Sequence, residues 1–287
     1  MPNLFLATRP WSFTAAAVPI ACTSVLCSGT IFKESFARML GMGVLVQAGA
    51  NLINSYCDFK SGVDSGEQCA DRAILDGHVS PKQAMICGFL CLLGAGKLVA
   101  PFLSNPEFRQ MFIAGSALAV AYSVPPVSLK YRAMGDLAIL TTFGPLLMQS
   151  TAVAMTGRSD HSITLYSIPI GMLTEAILWA NNTRDIDNDK SVKIRTVCNM
   201  LGFTKSKDGY RALVYGAYAV CAVLAAKERN SGLLLPLLTL PLAKSTLEAF
   251  QEGRESLREA DSRTAQLHLP FGVLLILGVL LGQRMKA

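Results

Sequence analysis

Apolar residues in this chain gather into long runs rather than the alternating or three-to-four spacing of half-buried elements. A helix needs roughly 17–25 such residues to cross a bilayer. Runs of that kind predict nine spans, near residues 11–31, 36–56, 82–104, 108–127, 135–157, 163–182, 210–226, 231–249 and 267–284. Pro19, Pro101, Pro125, Pro126, Pro145 and Pro169 fall within or at the ends of these runs. Membrane helices tolerate proline where neighbours satisfy the freed backbone groups. The small residues Gly41, Gly43, Ala48, Gly49 and Ala50 of the second run suit close helix contact.

The links are unequal. Polar segments 57–81, 128–134, 183–209 and 250–266 follow spans two, four, six and eight, whereas the other links are short. The amino terminus and the four polar segments therefore share one side. That side carries sixteen Lys and Arg against eight on the other, which by the positive-inside rule makes it cytoplasmic. No basic stretch with a small-residue cleavage site precedes the first run, so that run is expected to direct insertion.

Composition agrees with the pattern. Of 287 residues, 51% are hydrophobic and 16% charged, with a mean hydropathy of +0.39. Soluble domains average about a quarter charged. The expectation is one all-α integral membrane domain over residues 1–287, with the bilayer as its surroundings. A net charge of +6 fits loops facing an anionic leaflet. No basic run interleaved with aromatics suggests nucleic acid, and the sequence leaves protein partners open. Eight cysteines and three histidines, mostly scattered through apolar runs, supply neither a zinc set nor a disulfide framework.

Candidate chemistry lies at two span ends. After span six the chain reads Asn181-Asn182-Thr183-Arg184-Asp185-Ile186-Asp187-Asn188-Asp189-Lys190. On a continuing helix Asn182, Asp185 and Asp189 share a face, and Asp187 points off it. A solvated helix end accounts for this segment equally well when it stands alone. A counterpart follows span two, where Asn54, Asp58 and Asp64 repeat the order Asn, Asp, Asp four spans earlier. This resembles a weak internal repeat of four helices, arguing for two half-sites across one cavity. Acidic residues at membrane depth are costly and tend to face a functional interior.

Magnesium prefers carboxylates shared with substrate phosphates. Asp58, Asp64, Asp185 and Asp189 are therefore the expected metal ligands, supported by Asn54 and Asn182. Arg72, Lys130 and Arg184 are candidate charge-assisted donors to phosphate. Tyr56, Tyr122, Tyr131 and Trp179 are candidate cavity aromatics, able to stabilise a cation through the ring face.

Together these motifs resemble the UbiA family of intramembrane aromatic prenyltransferases over nearly the whole chain. The resemblance rests on Arg9-Pro10-Trp11-Ser12, Asn54-x3-Asp58-x5-Asp64, Asp71-Arg72 with Gly77 and Ser80-Pro81, Tyr122-Ser-x-Pro-Pro, Lys130-Tyr131, Gly135-Asp136 and Asn181-Asn182-x-Arg184-Asp185-x3-Asp189. Thr174-Glu175-Ala176-Ile177-Leu178 and the first motif's spacing look most like the menaquinone branch.

The resemblance implies a bundle of about nine helices in two pseudo-repeated four-helix halves. It implies Mg2+-dependent transfer of a polyprenyl group, geranylgeranyl or longer, from its diphosphate to a naphthoquinone or dihydroxynaphthoate-type ring. The site would comprise Asp58, Asp64, Asp185, Asp189 and Lys130, with Asn54, Asn182, Arg72, Arg184, Tyr56 and Tyr131 binding substrate. The membrane would be endoplasmic reticulum, Golgi or mitochondrial in a eukaryote, and the cytoplasmic membrane in a bacterium. The alternatives are a hydroxybenzoate or homogentisate acceptor, or a membrane transporter. The chain departs from the family at Ser55 and at Ser191-Val192, where the family usually has Asp and Ala-Gly.

Overall fold

The computed structural model describes residues 4–31, 33–63, 73–250 and 255–286. Asp64 and Arg72, both expected in the site, lie outside the described residues. Among the described residues the regular elements are helices, and no strand forms. The principal helices are α1 (Pro10–Ser28), α2 (Glu34–Lys60), α3 (Pro81–Phe102), α4 (Pro106–Ser123), α5 (Gly135–Thr156) and α6 (His161–Arg184). They continue as α7 (Ile186–Ser191), α8 (Val197–Leu201), α9 (Phe203–Glu228), α10 (Leu240–Ala249) and α11 (Ala260–Lys286).

Local sequence sets the boundaries. Gly29 ends α1 in the left-handed region at φ 68°, a conformation that costs glycine little. Ser80 and Gln83 form a reciprocal capping box at the start of α3, with Pro81 in the first turn. Asn105 and Asp160 accept from the first free N–H groups of α4 and α6.

Seven helices are long and apolar enough to cross a membrane, among the described residues, where the sequence pattern predicts nine. The two exceptions have physical causes. Helix α4 begins with Glu107, Arg109 and Gln110, so its apolar stretch is shorter than the helix. Residues 231–249 begin as a 3₁₀ segment, Ser231–Thr239, which holds Pro236, and only Leu240–Ala249 is α-helical. Proline lacks the N–H that would extend the α-helical ladder through this stretch.

The seven helices fit a multi-pass integral membrane protein. On α3, Ile86, Phe89, Leu90 and Leu93 recur at helical spacing and are 45–70% exposed. A soluble monomer rarely shows so continuous an apolar stripe, which suits lipid. The interior holds two main clusters. One joins α6, α9 and α11 around Ile170, Leu173, Tyr210, Leu267 and Phe271. The other joins α1, α2, α3 and α4 around Ile20, Met39, Val99 and Phe108. Contacts of α1 with α2, α5 and α11 close the bundle into a ring.

Two close backbone approaches shape that ring. Gly278 of α11 faces Gly232, and a Cβ at 278 would overlap the Gly232 carbonyl. Overpacking of this kind costs about 1–3 kcal/mol, occasionally more. Gly278→Val is accordingly expected to lower the thermal aggregation temperature of detergent-purified protein, and an unchanged midpoint would contradict this packing. The second approach lies in α5, which is broken by a π turn at Thr142–Leu146, with Gly144 at φ −86° and ψ −108°. Its partner on α6 is Gly171, where a Cβ would lie 3.3 Å from Gly144 Cα. π turns of this kind frequently mark functional sites.

Candidate active site

One cavity of about 320 Å³ runs inside the bundle from the polar end of α2 and α6 toward the start of α4. Helix α2 lines it with Met42, Gly43, Val46, Gln47, Ala50, Asn51, Asn54 and Asp58, which recur every three or four residues along one face. Helix α4 lines it from Phe108 to Tyr122. Fourteen helical steps at about 1.5 Å each make this wall roughly 20 Å long. Polar groups crowd one end, and the walls below are mainly apolar.

The two Asn–Asp motifs meet at that polar end. Asn54 and Asp58 lie on the last turns of α2, and Asn54 Nδ2 donates to Asp58 Oδ2 at 3.0 Å. Lys130 comes from the turn after α4 and donates to both Asp58 oxygens and to Asn54 Oδ1, each at 2.7 Å. Ser123 Oγ donates to Asn54 Oδ1 at 2.8 Å, and Tyr131 OH to Asp58 Oδ1 at 2.5 Å. Asp58 is thus a buried carboxylate holding a half-buried ammonium, which Asn54 Oδ1 holds as well. Burial, and then the Asp58 carboxylate beside it, push the Tyr131 phenol well above its ordinary range, so it stays a donor.

The second motif enters where α6 ends and α7 begins. Arg184 grips Asp185 with two bonds, Nε to Oδ1 at 2.7 Å and Nη2 to Oδ2 at 2.8 Å. Arg184 Nη2 also donates to Asn181 Oδ1, and Nη1 reaches Asp261 of α11 at 3.4 Å. Such two-pronged pairs fix geometry as well as energy. Asp189 is buried on the cavity wall and, among the described residues, has no ion pair of this kind. Burial and the nearby Asp185 and Asp58 charges push its carboxyl up to about 7. Asp187 faces outward and is exposed, as its helical position predicts.

Backbone bonds lock the surrounding turns. Asn188 Nδ2 donates to Val63 O just beyond α2. Ala133 N donates to Arg195 O at 2.7 Å, and Arg195 N to Tyr131 O at 3.2 Å. After Ser191-Val192 the chain closes this loop with Lys193 at φ 60°, and Ile194 N donates to Asp189 O at 2.8 Å.

The expected residues sort as follows. Asn54, Asp58, Lys130, Asn182, Arg184, Asp185 and Asp189 all line the cavity. Tyr131 stands behind Asp58, supporting it from outside the lining. Tyr56 is not brought to the cavity: it packs with Ala7, Leu52, Val79 and Ala84. Of the aromatics, Tyr122 lines the cavity, while Trp179 donates to Ser206 O instead. Lys130 neutralises Asp58, where the sequence suggests a phosphate contact. Ser123 carries a role that sequence reasoning missed, although it sits within the Tyr122-Ser-x-Pro-Pro motif.

Glu175 and Asp136 were also missed as a pair. Their carboxyls meet next to Asn182, Glu175 buried and Asp136 half-buried, and among the described residues neither Glu175 oxygen nor Asp136 Oδ1 has a donor partner. Two carboxyls in contact are compatible when one carries a proton and donates. The available signal was an acidic residue in the middle of an apolar run.

A bundle of apolar helices with two facing Asn–Asp motifs above a long apolar cavity has the form of a membrane-embedded prenyltransferase. The chain belongs to the UbiA prenyltransferase family, whose model matches residues 15–280. It is 34% identical over 284 residues to the human UbiA prenyltransferase domain-containing protein 1, covering 96% of this chain and 82% of that protein. The chicken protein of the same name is 33% identical, with 96% and 84% covered.

Among solved structures, the fold is similar to a UbiA homologue from Aeropyrum pernix K1, with a TM-score of 0.69, 18% identity and 92% and 96% of the two chains covered. A UbiA homologue from Archaeoglobus fulgidus, bound to GPP and Mg2+, gives a TM-score of 0.64 at 13% identity, with 96% and 99% covered.

Proposed function

We propose that this chain transfers a polyprenyl group from its diphosphate to a naphthalene diol or dihydroxynaphthoate ring, a step of menaquinone formation, and that it needs Mg2+. The observation that carries the reading is the pair of Asn–Asp motifs facing one another at the head of an apolar cavity roughly 20 Å deep. A diphosphate suits the polar head and its isoprenoid tail suits the walls. The acceptor class rests on the resemblance of Asn54-x3-Asp58 and Thr174-Glu175-Ala176-Ile177 to the menaquinone branch.

The donor set fits magnesium. Asp58, Asp185 and Asp189, with Asn54 and Asn182, offer only oxygen, the ligand type of a hard cation. Among the described residues, no three of the His, Cys, Asp and Glu side chains stand close enough to hold an ion unaided. That agrees with an ion that takes one or two carboxylates and completes its shell from substrate phosphates. When bound, it neutralises charge on the departing diphosphate.

The chain's own residues divide the remaining work. Arg184 supplies positive charge at the diphosphate, Lys130 holds the Asp58 carboxylate in place, and the apolar walls exclude water from the allylic carbon. The C1–O bond to diphosphate breaks as C1 bonds to the electron-rich ring carbon. That carbon then releases its proton, or carbon dioxide where it carries a carboxylate, and aromaticity returns. The acceptor is the reduced ring, since a quinone is itself electron-poor. The excess of Lys and Arg on the side of the polar segments supports a cytoplasmic polar head.

The test is mass spectrometry of products from membranes carrying the protein. They would be supplied with several prenyl diphosphates and with naphthalene diol, hydroxybenzoate and homogentisate acceptors. The prenylated naphthalene diol is expected, and product from hydroxybenzoate alone would overturn the acceptor assignment. Proton competition at Asp189 gives a second test. A carboxyl titrating at about 7 must lose its proton to bind a cation. The Mg2+ concentration for half-maximal rate should therefore rise as pH falls from 8 to 6, approaching about tenfold per unit. A flat requirement would show that Asp189 is not a ligand.

A further inference from the structure

The lining of α2 holds two polar residues that the diphosphate does not account for. Gln47 stands at the middle of this helix and Asn51 one turn nearer its polar end. Neutral amides at bilayer depth are costly, and their presence asks for partners. Half of that demand is met within the chain. Gln47 Nε2 donates to Ser12 Oγ at 3.1 Å, and Asn51 Nδ2 donates to Thr8 O at 2.7 Å and Ser12 Oγ at 3.0 Å. Ser12 Oγ in turn donates to Arg9 O at 2.8 Å.

Each NH2 group is thereby fixed on the first turn of α1, and that of Asn51 also on Thr8 just before it, which sets the amide plane. The opposite atoms, Gln47 Oε1 and Asn51 Oδ1, accept from no side chain or backbone group of the described residues, and both residues line the cavity.

We infer that Gln47 and Asn51 form the subsite for the aromatic acceptor, their two amide oxygens accepting hydrogen bonds from hydroxyls of a dihydroxy-aromatic ring. This rests on the transferase reading above and adds where the ring sits and what recognises it. Residues four apart on a helix hold their Cβ atoms about 5–6 Å apart, comparable with the span between para hydroxyls. Asn51 lies seven residues, or about 10 Å, from Asp58 along the axis. A diphosphate at the polar head would then carry its first prenyl carbon toward this level. Trp11, from the first turn of α1 next to Ser12, lines the same cavity and offers it a flat apolar surface. A pair of acceptors selects donors: a free diol is bound, and its O-methylated form is not.

The test uses the whole protein in detergent or liposomes with geranylgeranyl diphosphate and 2-methyl-1,4-dihydroxynaphthalene. The two monomethyl ethers of that diol serve as competitive inhibitors. With wild type, each ether should bind at least about tenfold more weakly than the diol. Gln47→Leu should raise the KM for the diol by a similar factor, leave that for the prenyl diphosphate within twofold, and lose the preference against one ether. The variant and analogue effects should therefore not multiply.

Ethers that bind wild type as well as the diol overturn the inference, and this arm does not depend on how the variant folds. Equal changes in both KM values would also overturn it, marking Gln47 as a brace for the Ser12 turn. If wild type prenylates no aromatic ring at all, the transferase reading itself fails, a distinguishable result.

Discussion

Asp58→Asn should lower prenyl transfer by about 10²–10³-fold, the scale on which removing one preorganised electrostatic group acts, while the protein still inserts. The neutral variant is the informative one because Asp58 has two duties. Its carboxylate is the counter-charge of Lys130, whose side chain is 18% exposed against 6% for Asp58. Breaking such a buried pair on one side costs about 3–5 kcal/mol, since it strands the other charge. Asp58→Asn and Lys130→Met should therefore each reduce both activity and thermal stability. The double variant, with neither charge, should recover much of the stability and none of the activity. Rates measured with labelled prenyl diphosphate, beside melting curves of the purified variants, separate the two duties. Recovery of activity in the double variant would mean that the pair is only a structural tie.

Asp185→Asn should bring a loss of similar size with a smaller effect on folding. Its partner Arg184 keeps Asn181 and Asp261 as contacts, so the guanidinium stays held when Asp185 loses its charge. The change should appear in the KM for prenyl diphosphate as well as in kcat, because the interaction removed lies at the diphosphate. Asp187→Asn, two residues away and exposed, should leave the rate within about twofold. Equal damage from both substitutions would point to a general disturbance of the turn between α6 and α7.

How much of this could be read from the chain depends on the length scale. The approximate positions of the helices were legible because hydropathy over about twenty residues answers to bilayer thickness. Number was less so: Glu107 and Arg109 shorten the apolar part of α4, and Pro236 gives the 231–249 segment a 3₁₀ start, neither of which a run of apolar letters displays. The Asn–Asp motifs were legible because oxygen-bearing side chains at span ends are expensive without a purpose.

Which way a residue turns was less accessible. Tyr56 lies two residues from Asn54 and so points elsewhere on the helix, into the cluster with Leu52 and Val79. Lys130 had the right location and a different partner, since no local rule foretells contact with a residue 72 positions away. Gln47 and Asn51 were passed over for a similar reason: their meaning depends on Ser12 arriving across the bundle.

The broken turn of α5 has a consequence for how such a protein could change. Where Gly144 abuts Gly171, the distance between two walls of the chamber is decided by main chain against main chain. Side chains elsewhere along those walls can then be exchanged without moving the frame that carries them. Depth and chemistry of the chamber become adjustable by single substitutions, and its breadth does not. A lineage with this scaffold could acquire new chain lengths or new rings in small steps, provided the two glycines stay.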